Sequence, residues 1–122
     1  MPGKRKVEEP PRLRVSKEEA EQVLGEQIRK GEAIRDGSIP DEATLKQASD
    51  GYREWRNYTS EWLRCRAFST AELSIKFLGV HVSSTARLSF DTRVEDFRKR
   101  VRENLHELEC IRQSLDLYTD AP

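Results

Sequence analysis

The chain has 122 residues, enough for one domain with a modest core and too few for two ordinary ones. Its 22 basic and 22 acidic residues cancel, so no global field recruits nucleic acid or an anionic membrane, and neither is expected as a partner. Charged residues make up 36% and hydrophobic ones 35%, which excludes wholesale disorder and suits long amphipathic helices with charged outer faces and a narrow apolar stripe.

Residues 1 to 15, MPGKRKVEEPPRLRV, carry three prolines and no apolar period and read as a flexible tail. Its Lys4-Arg5-Lys6 triplet is diluted at once by Glu8 and Glu9, so a solvated arm is preferred to a phosphate contact or an address. Ser16-Lys17-Glu18-Glu19 has the capping-box form and should open the first helix. Ala20, Val23, Leu24, Ile28 and Ile34 recur at helical spacing, Gly31 weakens the end, and the helix is expected to close near Arg35 before the Asp36-Gly37-Ser38 turn.

Pro40 suits the first turn of a second helix running from Asp41 to about Phe68. Within it Leu45, Ala48, Tyr52, Trp55, Thr59 and Trp62 step by three and four residues, the repeat of a helix packed along a partner. Tyr52, Trp55, Tyr58 and Trp62 fall within an arc of roughly 120°, with Arg53, Asn57, Ser60 and Arg64 on the other side. A helix seam is therefore preferred to a ligand site for this aromatic cluster.

Ser69-Thr70-Ala71-Glu72 is a second capping box, predicting a bend after Phe68 and a short helix carrying Leu73 and Phe77. In residues 79 to 91 Val80 and Val82 alternate with His81 and Ser83, which allows a brief strand, but without an obvious sheet partner the segment reads as a connection. Thr92-Arg93-Val94-Glu95, a third capping box, should open a last helix with the stripe Val94, Phe97, Val101, Leu105, Leu108, Ile111 and Leu115, leaving at Asp120 and Pro122. The expected fold is all-α: residues 16 to 122 form a single domain, either a small helical bundle or a long antiparallel hairpin braced by a shorter N-terminal helix.

No run approaches the roughly 20 apolar residues of a membrane span, and no apolar signal segment opens the chain, so a cytoplasmic protein is expected. Cys65 and Cys110 then read as reduced thiols, with a bridge between them open only on oxidation. His106 and Cys110, four apart on one side of a helix, are the best chemical hint, as two metal ligands or a thiol–imidazole pair. Adding Cys65 and His81 gives no close zinc-knuckle spacing, and no metal or cofactor is expected. The chain lacks the glycine-rich phosphate motifs GxGxxG and GxxxxGK[ST]. Glu18-Glu19 and Glu107/Glu109 read as solvated faces rather than acid–base pairs, and no residue is assigned a catalytic role. Arg93, Arg98, Lys99, Arg100 and Arg102 form a basic patch, but the interleaved Glu95, Asp96 and Glu103 favour an ion-laced outer face.

The segments LGEQIRKGEAI, YREWRNYTSEWLRCRAFSTAE and LECIRQSLDLY, within a span from Ser16 to Tyr118, resemble the helical region that precedes the effector domain in bacterial TIR-like, predicted nucleotide-binding defence proteins. The resemblance implies structural positions for Gly31, Trp55, Phe68, Leu108 and Leu115 and assigns no NAD cleavage, which in that family belongs to a following α/β domain. On it the chain is expected to be a detached module or the N-terminal part of something larger. Two functions follow. The first is a noncatalytic interaction or assembly module meeting itself or another protein, such as a TIR-like effector in antiviral defence, through a seam of Tyr52, Trp55, Tyr58, Trp62, Phe97, Val101 and Leu108. The second is a small-ligand or nucleotide sensor with Trp55, Trp62 and nearby arginines as its pocket. The first is preferred.

Overall fold

The computed structural model describes residues 10–79 and 88–118. These form an all-α bundle of four helices: α1 (Lys17–Asp36), α2 (Glu42–Trp62), α3 (Glu72–Leu78) and α4 (Phe90–Gln113). A π-helical turn, Leu63–Ala67, extends α2, and a 3₁₀ turn, Leu115–Leu117, follows α4. Of the expected alternatives the bundle is the one realised, since α1, at 20 residues, is as much a full member as the 21-residue α2. The connection expected at residues 79 to 91 lies mostly outside the described residues, His81 with it, as do Lys4-Arg5-Lys6, Asp120 and Pro122.

Cross-helix contacts set the directions. Lys17 pairs with Asp116, Gly31 faces Leu105, and Arg98 reaches Arg35 and Gly37, so α1 and α4 run antiparallel in the most extensive pairing of the fold. Arg93 bonds Glu42 while Tyr52 meets Phe97 and Asn104, so α2 and α4 run parallel, which sets aside the antiparallel hairpin expected as the alternative to the bundle. The reversal is the work of α3, whose Ser74 and Leu78 lie against Ser60 and Arg56 and which carries the chain back along α2.

Each helix start has an identifiable cause. Ser16 Oγ accepts the Glu19 N–H at 3.0 Å, as the first capping box requires. Asp41 caps α2 by accepting both the N–H and the hydroxyl of Thr44, and these bonds, the backbone one foremost, hold its carboxyl below the usual range. Pro40 accordingly stands before the cap rather than in the first turn. The other two capping boxes are displaced. Ser69 Oγ is taken by the Arg12 N–H, so Ala71 becomes the cap position of α3, with Thr70 Oγ1 accepting the Glu72 N–H at 3.4 Å. On α4 the cap is Ser89, whose hydroxyl accepts the Thr92 N–H and meets the Thr92 hydroxyl, and the earlier start packs Phe90 against the core.

The expected tail also ends sooner. Leu13 is buried and forms an antiparallel bridge with Phe68, the Arg14 N–H donates to Ala67, and the Ser69 N–H donates to Arg12. The π-turn makes this possible. The Phe68 N–H donates to Leu63 at 3.2 Å, and the wider turn buries Leu63, Ala67 and Phe68 together before the chain becomes extended.

The core centres on Trp55. Its ring stacks edge-on against Phe77 of α3 at 5.7 Å, and its far edge approaches α1 at Gly31. A Cβ at Gly31 would stand 2.6 Å from Trp55 Cζ2 and 2.6 Å from Leu105 Cδ2, so this glycine is a notch into which α2 and α4 both press, and not the helix-weakening end expected. Gly51, also helical, has nothing within 4 Å of such a Cβ. Gly31→Ala should therefore cost about 1–3 kcal/mol by overpacking, whereas Gly51→Ala should stabilise by about 0.5–1 kcal/mol through helix propensity. Urea unfolding of the two variants checks the opposite signs.

Candidate functional site

The expected seam lies mostly inside. Trp55 and Trp62 are 5% and 8% exposed, Phe97, Val101 and Leu108 are buried, and Tyr52 is half-buried. Tyr58 is the exception, at 59% exposed. Ser60, expected on the outer side, is buried instead, its hydroxyl 2.7 Å from that of Ser74. The two departures share a cause: α3 covers the Ser60 edge of α2, so the buried arc turns toward Ser60 and leaves Tyr58 in solvent.

Three buried polar residues hold the aromatic residues in place: Thr59, which the periodicity placed on the stripe, and Gln27 and Asn104, which it missed. Trp55 Nε1 donates to the Gln27 carbonyl at 2.9 Å. Thr59 Oγ1 lies 2.8 Å from the Trp55 carbonyl and 3.1 Å from the Gln27 amide. A hydroxyl has one proton, so Thr59 donates to one of these two acceptors at a time, and either choice ties α2 to its own preceding turn or to α1. Asn104 donates to the Phe77 carbonyl at 2.6 Å and accepts from the Tyr52 hydroxyl, joining α4 to the end of α3 and to α2. The available signal was position: Gln27 adjoins Ile28, and Asn104 lies three residues after Val101 and four before Leu108, polar residues on apolar stripes.

The basic patch is divided among separate tasks. Arg98 donates to the carbonyls of Arg35 and Gly37, satisfying the C-terminal end of α1. Arg93 is paired with Glu42, and Arg100 with Asp96 at 3.2 Å. Lys99 and Arg102 remain exposed, in an open concavity shared with Asp36, Glu95 and Asp96. Glu18 and Glu19 are exposed, while Glu107 and Glu109 are partly covered. Cys65 and Cys110 are both free thiols at the surface.

Two grooves remain as surfaces for recognition. One, between α1 and the end of α2, is floored by Val23, Tyr58 and Trp62 with Cys65 beside them and rimmed by Glu19, Glu61 and Arg66. The other, between α2 and α4, has Tyr52 and Phe97 at its base and Arg53, Arg56, Arg93 and Arg100 around it with Asp96. Arg56 donates to the Leu78 carbonyl at 2.8 Å, and its buried Nε makes no bond among the described residues. Burial raises the Tyr52 phenol above its ordinary pKa, against the lowering influence of Arg56 and Arg100. Among the described residues no group of three or more potential metal ligands converges, and no helix is long and apolar enough to cross a membrane. Compared with known proteins, the chain matches no family model, no curated protein and no solved structure.

Asn104→Asp should keep the acceptor for Tyr52 but set a carboxylate against the Phe77 carbonyl. Loss of stability is expected at neutral pH, with recovery as the solution is acidified and the new carboxyl regains a donor proton. Its folded pKa lies above its unfolded one, so the stabilisation is present at low pH and lost as pH rises. Denaturant midpoints from acid to neutral pH, compared with wild type, check this. At the other end of the scale, the raised Tyr52 pKa makes its contribution present below the ordinary phenol value of about 10 and lost as pH rises through the folded value. Tyr52→Phe should accordingly flatten the alkaline decline in stability, as midpoints on either side of that pH would show.

Proposed function

We propose that the chain is a noncatalytic helical assembly module that associates through the groove between α1 and α2, with a second copy as its partner. The observation that carries this reading is Tyr58, the one member of the aromatic cluster left in solvent, seated beside Val23 and Trp62. A large exposed aromatic on a rigid helix is the residue type from which interface anchors are made. The rim carries both signs, Glu19 and Glu61 against Arg66, which suits self-pairing about a two-fold axis, where each patch meets its own copy. The sequence resemblance adds a setting in bacterial defence and a TIR-like effector as the module's further partner, with the cytoplasm as the compartment expected from the apolar pattern of the sequence.

A second reading, a sensor for a small anionic ligand such as a nucleotide, is favoured by the arginines around Tyr52 and Phe97. It moves the expected pocket away from Trp55 and Trp62, which are buried in the core.

Sedimentation across a concentration series in the presence of a chelator separates the two readings. The expected result is a concentration-dependent dimer that Tyr58→Asp renders monomeric with its helical circular dichroism unchanged, and tryptophan fluorescence indifferent to nucleotides. A strict monomer whose fluorescence responds to nucleotide would overturn the assembly reading. Trp55 would report such binding, because its ring lies 6.1 Å from that of Tyr52.

A further inference from the structure

The outer face of α4 carries a feature that neither groove uses. His106 Nε2 and Cys110 Sγ lie 3.6 Å apart, one helical turn from each other and both exposed. Zinc bound tetrahedrally at about 2.3 Å from sulfur and about 2.0–2.1 Å from nitrogen holds those two donors about 3.5–3.6 Å apart. The side chains therefore already stand at the separation that one ion imposes. Both belong to a regular helix whose opposite face, through Val101, Leu105 and Leu108, is locked in the core, so the spacing of their Cα atoms and the side of the helix they share are held by the backbone. Glu103 precedes His106 by three residues and Glu107 precedes Cys110 by three, placing carboxylates within one turn of each donor. Such neighbours attract a dication.

We infer that His106 and Cys110 form half of a soft-metal site of the zinc class, completed by the same pair from a second copy of the chain. Among the described residues no third ligand converges on the pair, whereas structural zinc takes four. Two copies related by a two-fold axis supply two sulfurs and two nitrogens, a common donor set for that ion. Binding displaces the proton of each Cys110 thiol to solvent and leaves each His106 neutral, with Nδ1 carrying its proton and Nε2 ligating. No electron is transferred. The site shares no residue with the Tyr58 groove, so this association depends on metal and the proposed groove-mediated one does not.

The test uses the full-length reduced chain, freed of metal, with Co²⁺ as the spectroscopic probe and Zn²⁺ as competitor, at concentrations where Tyr58→Asp is monomeric in chelator. In that background Co²⁺ should give the intense visible bands of a tetrahedral thiolate site, saturating at one ion per two chains and lost when Zn²⁺ displaces it. Sedimentation should show a dimer appearing at the same ratio. His106→Ala and Cys110→Ser should each abolish the colour and the dimer while helical circular dichroism is kept, and Cys65→Ser should abolish neither. Saturation at one ion per chain without a dimer, an absence of colour, or colour that survives Cys110→Ser would overturn the inference.

Discussion

The fold depends on how Trp55 enters α1. Its indole reaches the α1 backbone at two levels, edge against the Gly31 notch and Nε1–H on the Gln27 carbonyl, while Phe77 closes over it from α3. Leu105 enters the same notch from α4. One glycine thus sets the distance between α1 and two other helices, and any Cβ there forces the bundle apart. Because the hydrogen bond fixes the indole along α1 as well as across it, the contact specifies register, which apolar packing alone leaves looser.

Buried polar groups tie the remaining helices to that centre. α3 is only seven residues long, too short to be stable on its helix propensity. It is held at its C-terminal end, where Asn104 takes the Phe77 carbonyl and Arg56 the Leu78 carbonyl, and at its middle, where Ser74 meets Ser60. Gly79 then turns the chain out at φ 64° and ψ −177°, a conformation that only glycine adopts without strain. Arg98 does for α1 what Arg56 does for α3. The guanidinium groups that composition would assign to a charged surface are, in these two cases, C-terminal caps.

Helix number, type and inward stripes were legible because apolar periodicity over 20 residues records one face of a helix directly. The stripe from Leu45 to Trp62 and that from Val94 to Leu115 lie on the protein interior. What was not legible follows from contacts distant in sequence. Ser69 could not serve as the cap of α3 because Arg12, 57 residues away, takes its hydroxyl. Tyr58 and Ser60 exchanged environments because α3 covers one edge of α2, which a two-helix seam does not anticipate. Gly31 reads locally as a weak point in a helix, and its purpose emerges only with Trp55 and Leu105 in place. The partners of the arginines on α4 were hidden for a related reason: spacing along α4 shows that Arg93, Arg98 and Arg100 are neighbours, but not that each faces a different partner.

These assignments narrow where recognition can occur. A side chain whose polar atom is already bonded in the core, such as Trp55, is unavailable to a ligand without unfolding, so the aromatic cluster divides by hydrogen bonding as well as by exposure. Tyr52 hands its hydroxyl to Asn104 and offers only a ring edge to the groove beside α4, whereas Tyr58 keeps both its ring and its hydroxyl for a partner. α4 itself is two-sided. Its inner face is committed to α1 along most of its length, and that commitment holds the backbone beneath the outer face as regular helix. Rigidity on one face thus fixes the backbone positions on the other, so a pair one turn apart on the exposed side can reach a bonding separation by side-chain rotation alone, without support from any neighbouring helix.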